Sequence, residues 1–163
     1  MTAEENVGNK ARNARLRRLE RVFVPTPIYF VTANAANRRS ILAVNEIHRA
    51  FLDFAKLGED RGALVGAYVL MPDHMHLFVA LDPEAKLTMW MKSLKNSLSK
   101  TLRSLNIPAP HWQKGFFDHV LRSSDSYDQK WEYVRDNPVR AGLVKTWEEW
   151  PFSGQVYPLE YRD

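Results

Sequence analysis

Residues 63–81, ALVGAYVLMPDHMHLFVAL, constrain the fold more than any other stretch of the chain. Two apolar runs flank Pro72-Asp73, a turn signal, so the segment reads as a hairpin of two strands, ALVGAYVLM and HMHLFVAL. Side chains of a strand alternate between faces. In the second run Met75, Leu77, Val79 and Leu81 therefore make one wholly apolar face, which must be covered. His74 and His76 share the other face with Phe78 and Ala80, the two imidazoles roughly 7 Å apart along the strand. Two histidines on one face of a core strand need an explanation of their own.

The flanking segments supply the cover. Ile28 to Thr32 (IYFVT) reads as a strand, and Ser40 as the cap of a helix running to about Leu57. Ile41, Val44, Ile47 or His48, Phe51 and Phe54 or Ala55 recur along that helix at helical spacing. From Lys86 to Leu105 the residues Leu87, Trp90, Met91, Leu94, Leu98, Leu102 and Leu105 form a second helical stripe, ended by Pro108 and Pro110. KGFFDHVLR reads as a fourth strand, and Ser124 as the cap of a last helix ending near Asn137-Pro138. The first six elements follow the split βαβ, ferredoxin-like order: an α+β fold with an antiparallel sheet, helices on one face and an extra C-terminal helix. The histidines would then stand on the open side of the sheet, near the hairpin turn.

A chain of 163 residues fits one domain. Residues 1–21 read as a basic arm that includes Arg17 and Arg18, and residues 22–163 as the single domain. The net charge of +4 favours an anionic partner such as nucleic acid. With no cysteine, disulfides, thiolate zinc sites and a cysteine nucleophile are excluded. No apolar run is long enough for a membrane span and no signal-peptide core is present, so a cytoplasmic protein without a membrane partner is expected.

Two same-face histidines either chelate a divalent metal or are surface groups held by hydrogen bonds. Imidazoles completed by oxygen ligands suit manganese, magnesium or zinc. In the last helix Tyr127, Trp131 and Val134 share one face, so Tyr127 reads as core. Tyr133 lies roughly opposite, with Gln129 and Asn137 one turn to either side. It is a surface tyrosine or, beside a metal-binding pair, a nucleophile with the Asn137 carbonyl as an extra ligand. Lys86, Lys92, Lys95, Lys100 and Arg103 follow one another with no acid between them, as a solvated face or a phosphate track. Trp112, Phe116, Phe117 and Phe78 are core groups or platforms on which bases stack.

MPDHMHLFVAL, WQKGFFDHVLR, YVRDNPVRAGLV and WEEWPFSG, in this order and spacing, resemble the REP-associated tyrosine transposases, bacterial proteins of the single-tyrosine HUH group that process single-stranded DNA. The resemblance runs from about Tyr29 to Tyr157; VPTPIYF stands where the family has a Gly-rich approach to the first strand. It implies an HUH-type fold in which His74 and His76 bind the metal, Tyr133 is the nucleophile and Asn137 the third ligand. It further implies a Mg2+ or Mn2+ cofactor, and a monomer or homodimer acting at the nucleoid. The expected partner is single-stranded DNA with a hairpin, a REP-type palindrome, contacted by Lys92, Lys95, Arg17 and Arg18. His119, inside a family-like block, is a possible accessory group. The implied reaction is cleavage and strand transfer through a 5′-phosphotyrosine, and no Walker-type loop points to ATP. The alternative is a non-catalytic hairpin-binding repressor or architectural protein, which would need none of His74, His76, Tyr133 and Asn137. A small-molecule hydrolase would leave the basic helix and arm without a purpose.

Overall fold

The computed structural model describes residues 22–24 and 28–161; the arm with Arg17 and Arg18 lies outside the described residues. Strand β1 (Val22–Val24) pairs in parallel with β7 (Leu159–Tyr161). The main sheet has five strands in the order β5-β2-β4-β3-β6, every pair antiparallel. These are β2 (Ile28–Asn34), β3 (Ala63–Leu70), β4 (His74–Leu81), β5 (Phe117–Leu121) and β6 (Ser153–Gln155). Because β4 lies between β2 and β3 and opposes both, those two run parallel to each other, which is the split βαβ arrangement. The ferredoxin-like α+β fold expected from the sequence is the one observed.

Helices α1 (Asn45–Ala55) and α3 (Leu87–Ser104) cover one face, and a short α2 (Gly58–Arg61) leads into β3. Their stripes (Ile47, Phe51 and Phe54; Trp90, Met91, Leu94, Leu98 and Leu102) meet Val31, Ala33, Val65, Met75, Leu77 and Val79 in the larger core. Burying each large side chain here contributes about 1.5–3 kcal/mol. The helix expected from Ser40 begins only at Asn45. Residues 40–44 instead bend around the hairpin turn, where the Ile41 and Leu42 amides both donate to the Pro72 carbonyl at 2.9 Å.

The other face is not open. Helix α4 (Ser124–Arg135) packs across it, and Tyr127 and Val134 join Ile28, Phe30, Val69, Phe78, Ala80 and Leu121 in a second core. Phe78, a candidate for base stacking, is fully buried there, with its ring centre 4.6 Å from that of Tyr127. Tyr127 is core as expected, and its hydroxyl accepts the Ala67 amide at 3.1 Å where β3 bulges between Val65 and Tyr68. At the adjacent Gly66 a Cβ would come within 2.8 Å of both the Tyr127 hydroxyl and Leu159, so any side chain there would have to push both aside. The α4 cap is Ser123 rather than Ser124: its hydroxyl accepts the Ser126 amide at 3.2 Å. The helix stops at Arg135, and a separate turn, α5 (Asn137–Arg140), starts with Pro138 at its head. Proline has no N–H to extend the α4 ladder but suits a first helical turn. Among the described residues no helix is long and apolar enough to cross a membrane.

Candidate active site

Strand pairing decides what surrounds the histidines. Thr32 lies opposite His76 and Asn34 opposite His74 across β2–β4, while Phe117 lies opposite Thr32 across β2–β5. Paired residues share a face. One end of the sheet therefore gathers His74, His76, Thr32, Asn34 and Phe117, beyond the edge of the second core. Phe117 is 64% exposed, so of the four aromatic candidates it is the one presented to solvent as a large open face.

The two imidazole rings meet edge to face, their centres 4.8 Å apart. His74 Nδ1 lies 2.8 Å from Asp73 Oδ1. A carboxylate only accepts, so Nδ1 carries the proton and donates. The Arg38 guanidinium is 3.4 Å from the same nitrogen. Two donors cannot bond each other, so both are bound to Asp73 instead. His76 Nδ1 lies 2.8 Å from the Thr32 hydroxyl. The Thr32 hydroxyl can accept from this nitrogen or donate to it; in the tautomer whose Nδ1 donates, the His76 Nε2 keeps its lone pair, and no hydrogen bond among the described residues engages the Nε2 of either ring. Fixing one ring nitrogen so that the other is presented is how proteins orient metal-binding histidines.

Charge is tuned to the same end. Burial, then the positive neighbours His74, Lys130, Arg140 and Arg38, push the pKa of His76 down to about 3. The ring stacks on Phe30, centres 5.3 Å apart and 19° from parallel. His76 is thus a neutral donor at physiological pH. Burial pushes the Asp73 carboxyl up, but hydrogen bonds and charge from His74 and Arg38 outweigh it and hold the group below the usual carboxylate range.

Tyr133 is on the outer side of α4 and 62% exposed. The Arg140 guanidinium covers its ring at 4.0 Å from the centre. Lys130, one turn earlier, places its ammonium 4.8 Å from the centre of the Phe30 ring, and that ring is the one stacked on His76. A groove of about 440 Å³ runs between β5 and α4, lined by His119, Arg122, Gln129, Lys130 and Tyr133 among others. His119 and Tyr133, distant in sequence, therefore share one groove. Asn137 opens α5, half-buried, and among the described residues its side chain makes no hydrogen bond to either histidine. No cluster of three His, Asp or Glu suited to a metal forms among the described residues. An ion on the two Nε2 atoms would thus complete its shell with amide, phenol, phosphate or water oxygens, a mixed nitrogen and oxygen set that suits manganese, magnesium or zinc.

The basic helix is elsewhere. α3 packs on the opposite face of the sheet from the histidines, with Lys92 exposed. Lys95 turns inward: its ammonium donates to the Gln113 and Gly115 carbonyls, and burial lowers its pKa. Its charge is spent on the loop that leads into β5. The cations that do surround the site, Arg38, Lys130 and Arg140, were not singled out in the sequence. Arg140 lies inside the NPVRAGLV block, and Thr32 follows from strand alternation, so both carried a signal.

A family model described as "Transposase IS200 like" matches residues 27–137, a span that holds His74, His76, Tyr133 and Asn137. The chain belongs to the IS200-like transposase family. It is similar to the REP-associated tyrosine transposase of Escherichia coli (strain K12), 29% identical over 149 residues, 86% of this chain and 88% of that protein. A putative REP-associated tyrosine transposase of Haemophilus influenzae (strain ATCC 51907 / DSM 11121 / KW20 / Rd) is 24% identical over 159 residues, 86% of this chain and 90% of that one. Among solved structures, a REP-associated tyrosine transposase bound to a REP hairpin superposes with a TM-score of 0.66 at 27% identity, over 82% of this chain and 79% of that one. A putative transposase of Deinococcus radiodurans R1 shares the fold alone, with a TM-score of 0.52 at 19% identity over 72% of this chain and 95% of its own. The resemblance drawn from the motifs is borne out. As an IS200-like transposase, this protein is a DNA-cleaving enzyme in its general class.

Proposed function

We propose that this transposase is a metal-dependent single-strand DNA endonuclease and strand transferase acting on REP-type hairpins, with Tyr133 as its nucleophile. The observation that carries the reading is the histidine pair, two imidazoles 4.8 Å apart with both Nδ1 atoms tied back, one to Asp73 and one to Thr32. On this reading His74 and His76 hold Mg2+ or Mn2+, with the Asn137 amide oxygen as third protein ligand. When bound, the ion polarises the scissile phosphate and sets it for in-line attack.

The chain's own groups do the rest. The Tyr133 hydroxyl attacks the phosphorus and loses its proton; the P–O3′ bond breaks, leaving a 5′-phosphotyrosine and a free 3′-hydroxyl. One phosphodiester replaces another, so a second DNA end can reverse the step without ATP. Arg140 and Lys130 supply positive charge beside the path of the phosphate, and Phe117 offers a face on which an unpaired base can stack. Hairpin binding is taken from the relative described as bound to a REP hairpin.

The test is to incubate the full chain with labelled single-stranded hairpin DNA and Mn2+ and look for an SDS-resistant adduct. We expect one with the wild type and none with His74→Ala/His76→Ala, which should still bind the hairpin because phosphate contacts dominate affinity. Tight binding with no adduct on any REP-type hairpin would favour the non-catalytic binder.

A further inference from the structure

Between β2 and α1 two consecutive residues without glycine's freedom, Asn37 and Arg38, take left-handed backbone conformations, with φ of 53° and 54°. Asparagine tolerates this region; arginine has no such preference, so something holds it there. Backbone bonds hold the loop. The Ala35 amide donates to the Asp73 carbonyl, Ile41 and Leu42 donate to the Pro72 carbonyl, and Ala36 donates to the His111 carbonyl, all at 2.9 Å. None of these bonds involves the Arg38 side chain, so the loop is anchored without it.

That side chain is then free to do something else. Its Nε donates to Asp73 Oδ2 at 2.8 Å and its Nη1 to Asn34 Oδ1 at 3.0 Å. Asp73 divides its two oxygens, Oδ2 to Arg38 and Oδ1 to His74. A half-exposed ion pair of this kind adds little stability and does not account for the strained backbone. Geometry does. With one oxygen clamped by Arg38, the carboxylate cannot rotate, so the direction of the His74 Nδ1–H bond, and with it the Nε2 lone pair, is set.

We propose that Arg38 is a positioning residue that holds His74 ready for the divalent cation through Asp73. The inference rests on the metal-binding reading of the histidine pair. It makes the loop after the first sheet strand part of the catalytic apparatus, with Arg38 touching neither the ion nor the reacting atoms.

The experiment measures Mn2+ binding by calorimetry on the full chain without DNA, beside hairpin binding in EDTA, for wild type, Arg38→Ala, Arg38→Lys and Asp73→Asn. Loss of an outer partner of a metal-binding histidine weakens metal affinity about 10- to 100-fold. We expect that loss in all three variants, lysine included, because an ammonium keeps the charge but cannot fork between Asp73 and Asn34. Hairpin affinity in EDTA should stay within about twofold, since no phosphate contact is removed, and saturating Mn2+ should restore adduct formation. Thermal melting checks folding, and Arg38→Lys keeps the test open where the alanine variant is unstable. Wild-type Mn2+ affinity in Arg38→Ala or Arg38→Lys overturns the proposal, as does a loss confined to hairpin binding. A wild type that takes up no Mn2+ sinks the metal reading itself, which is a distinct outcome.

Discussion

The Arg140 guanidinium lies over the Tyr133 ring at 4.0 Å from its centre. Arg140 comes from α5, which exists only because the chain restarts at Asn137-Pro138 after α4 ends. The kink brings a cation back over the last turn of the helix it left. It covers one face of the ring and leaves the side chain largely exposed, as a group that must meet a large substrate has to be. The same arginine is one of the charges acting on His76, so the tyrosine and the histidine pair belong to one electrostatic neighbourhood.

Tyr133→Phe should abolish the covalent adduct while leaving hairpin binding and thermal stability close to wild type. Tyr127→Phe should do the reverse. It leaves the buried Ala67 amide without its acceptor, a loss of about 1–3 kcal/mol, or roughly 3–10 °C in melting temperature for a chain of this size. The adduct should still form below the transition. Peptide mapping of the adduct decides, and phosphate on Tyr127 would sink the assignment.

Asn137→Ala keeps the nucleophile but removes the proposed third ligand. Adduct formation should fall and require more Mn2+, with the half-saturating concentration raised about tenfold or more, as for the loss of other groups that support a metal site. A titration of rate against Mn2+ reads this directly. An unchanged midpoint would leave Asn137 as the residue that opens α5 and nothing more.

The two lysines of α3 should separate. Lys92, exposed, is proposed as a phosphate contact, so Lys92→Gln should flatten the log–log salt dependence of hairpin binding by about one unit. Lys95 already donates to the Gln113 and Gly115 carbonyls. Lys95→Gln should therefore lower the melting temperature with little change in salt slope. Equal slopes for Lys92→Gln and wild type would return that face of α3 to plain solvation.

Acid should destabilise the metal-free protein through His76. Unfolded, this histidine titrates near 6.5; folded, its pKa is pushed down to about 3. Between those values the unfolded state binds more protons, so stability is full above about pH 6.5 and falls as pH drops toward 3. From pH 7 to pH 5 this group alone should cost roughly 2 kcal/mol. In EDTA, the shift in urea midpoint over that range should be clearly smaller for His76→Gln than for wild type. Equal shifts would mean that His76 is more solvated than its packing on Phe30 indicates.

Much of this protein is written in local periodicity. Period-two alternation in HMHLFVAL assigned Met75, Leu77 and Val79 to one face and both histidines to the other, because a strand has no other way to place successive side chains. The 3.6-residue stripes of α1 and α3 likewise identified what covers the apolar face. The i, i+4, i+7 set of Tyr127, Trp131 and Val134 separated a core tyrosine from an exposed one before any contact was known. Tertiary structure decided the rest. That α4 lies across the histidine face and buries Phe78 depends on which helix reaches which surface, and no local period encodes that. That Lys95 serves a loop, and that Arg38, Lys130 and Arg140 surround the histidines instead, depends on chain segments up to about a hundred residues apart meeting in space. Side-chain direction is set by backbone geometry a few residues long; a site assembled from β2, β4, β5, α4 and α5 exists only once the core has closed.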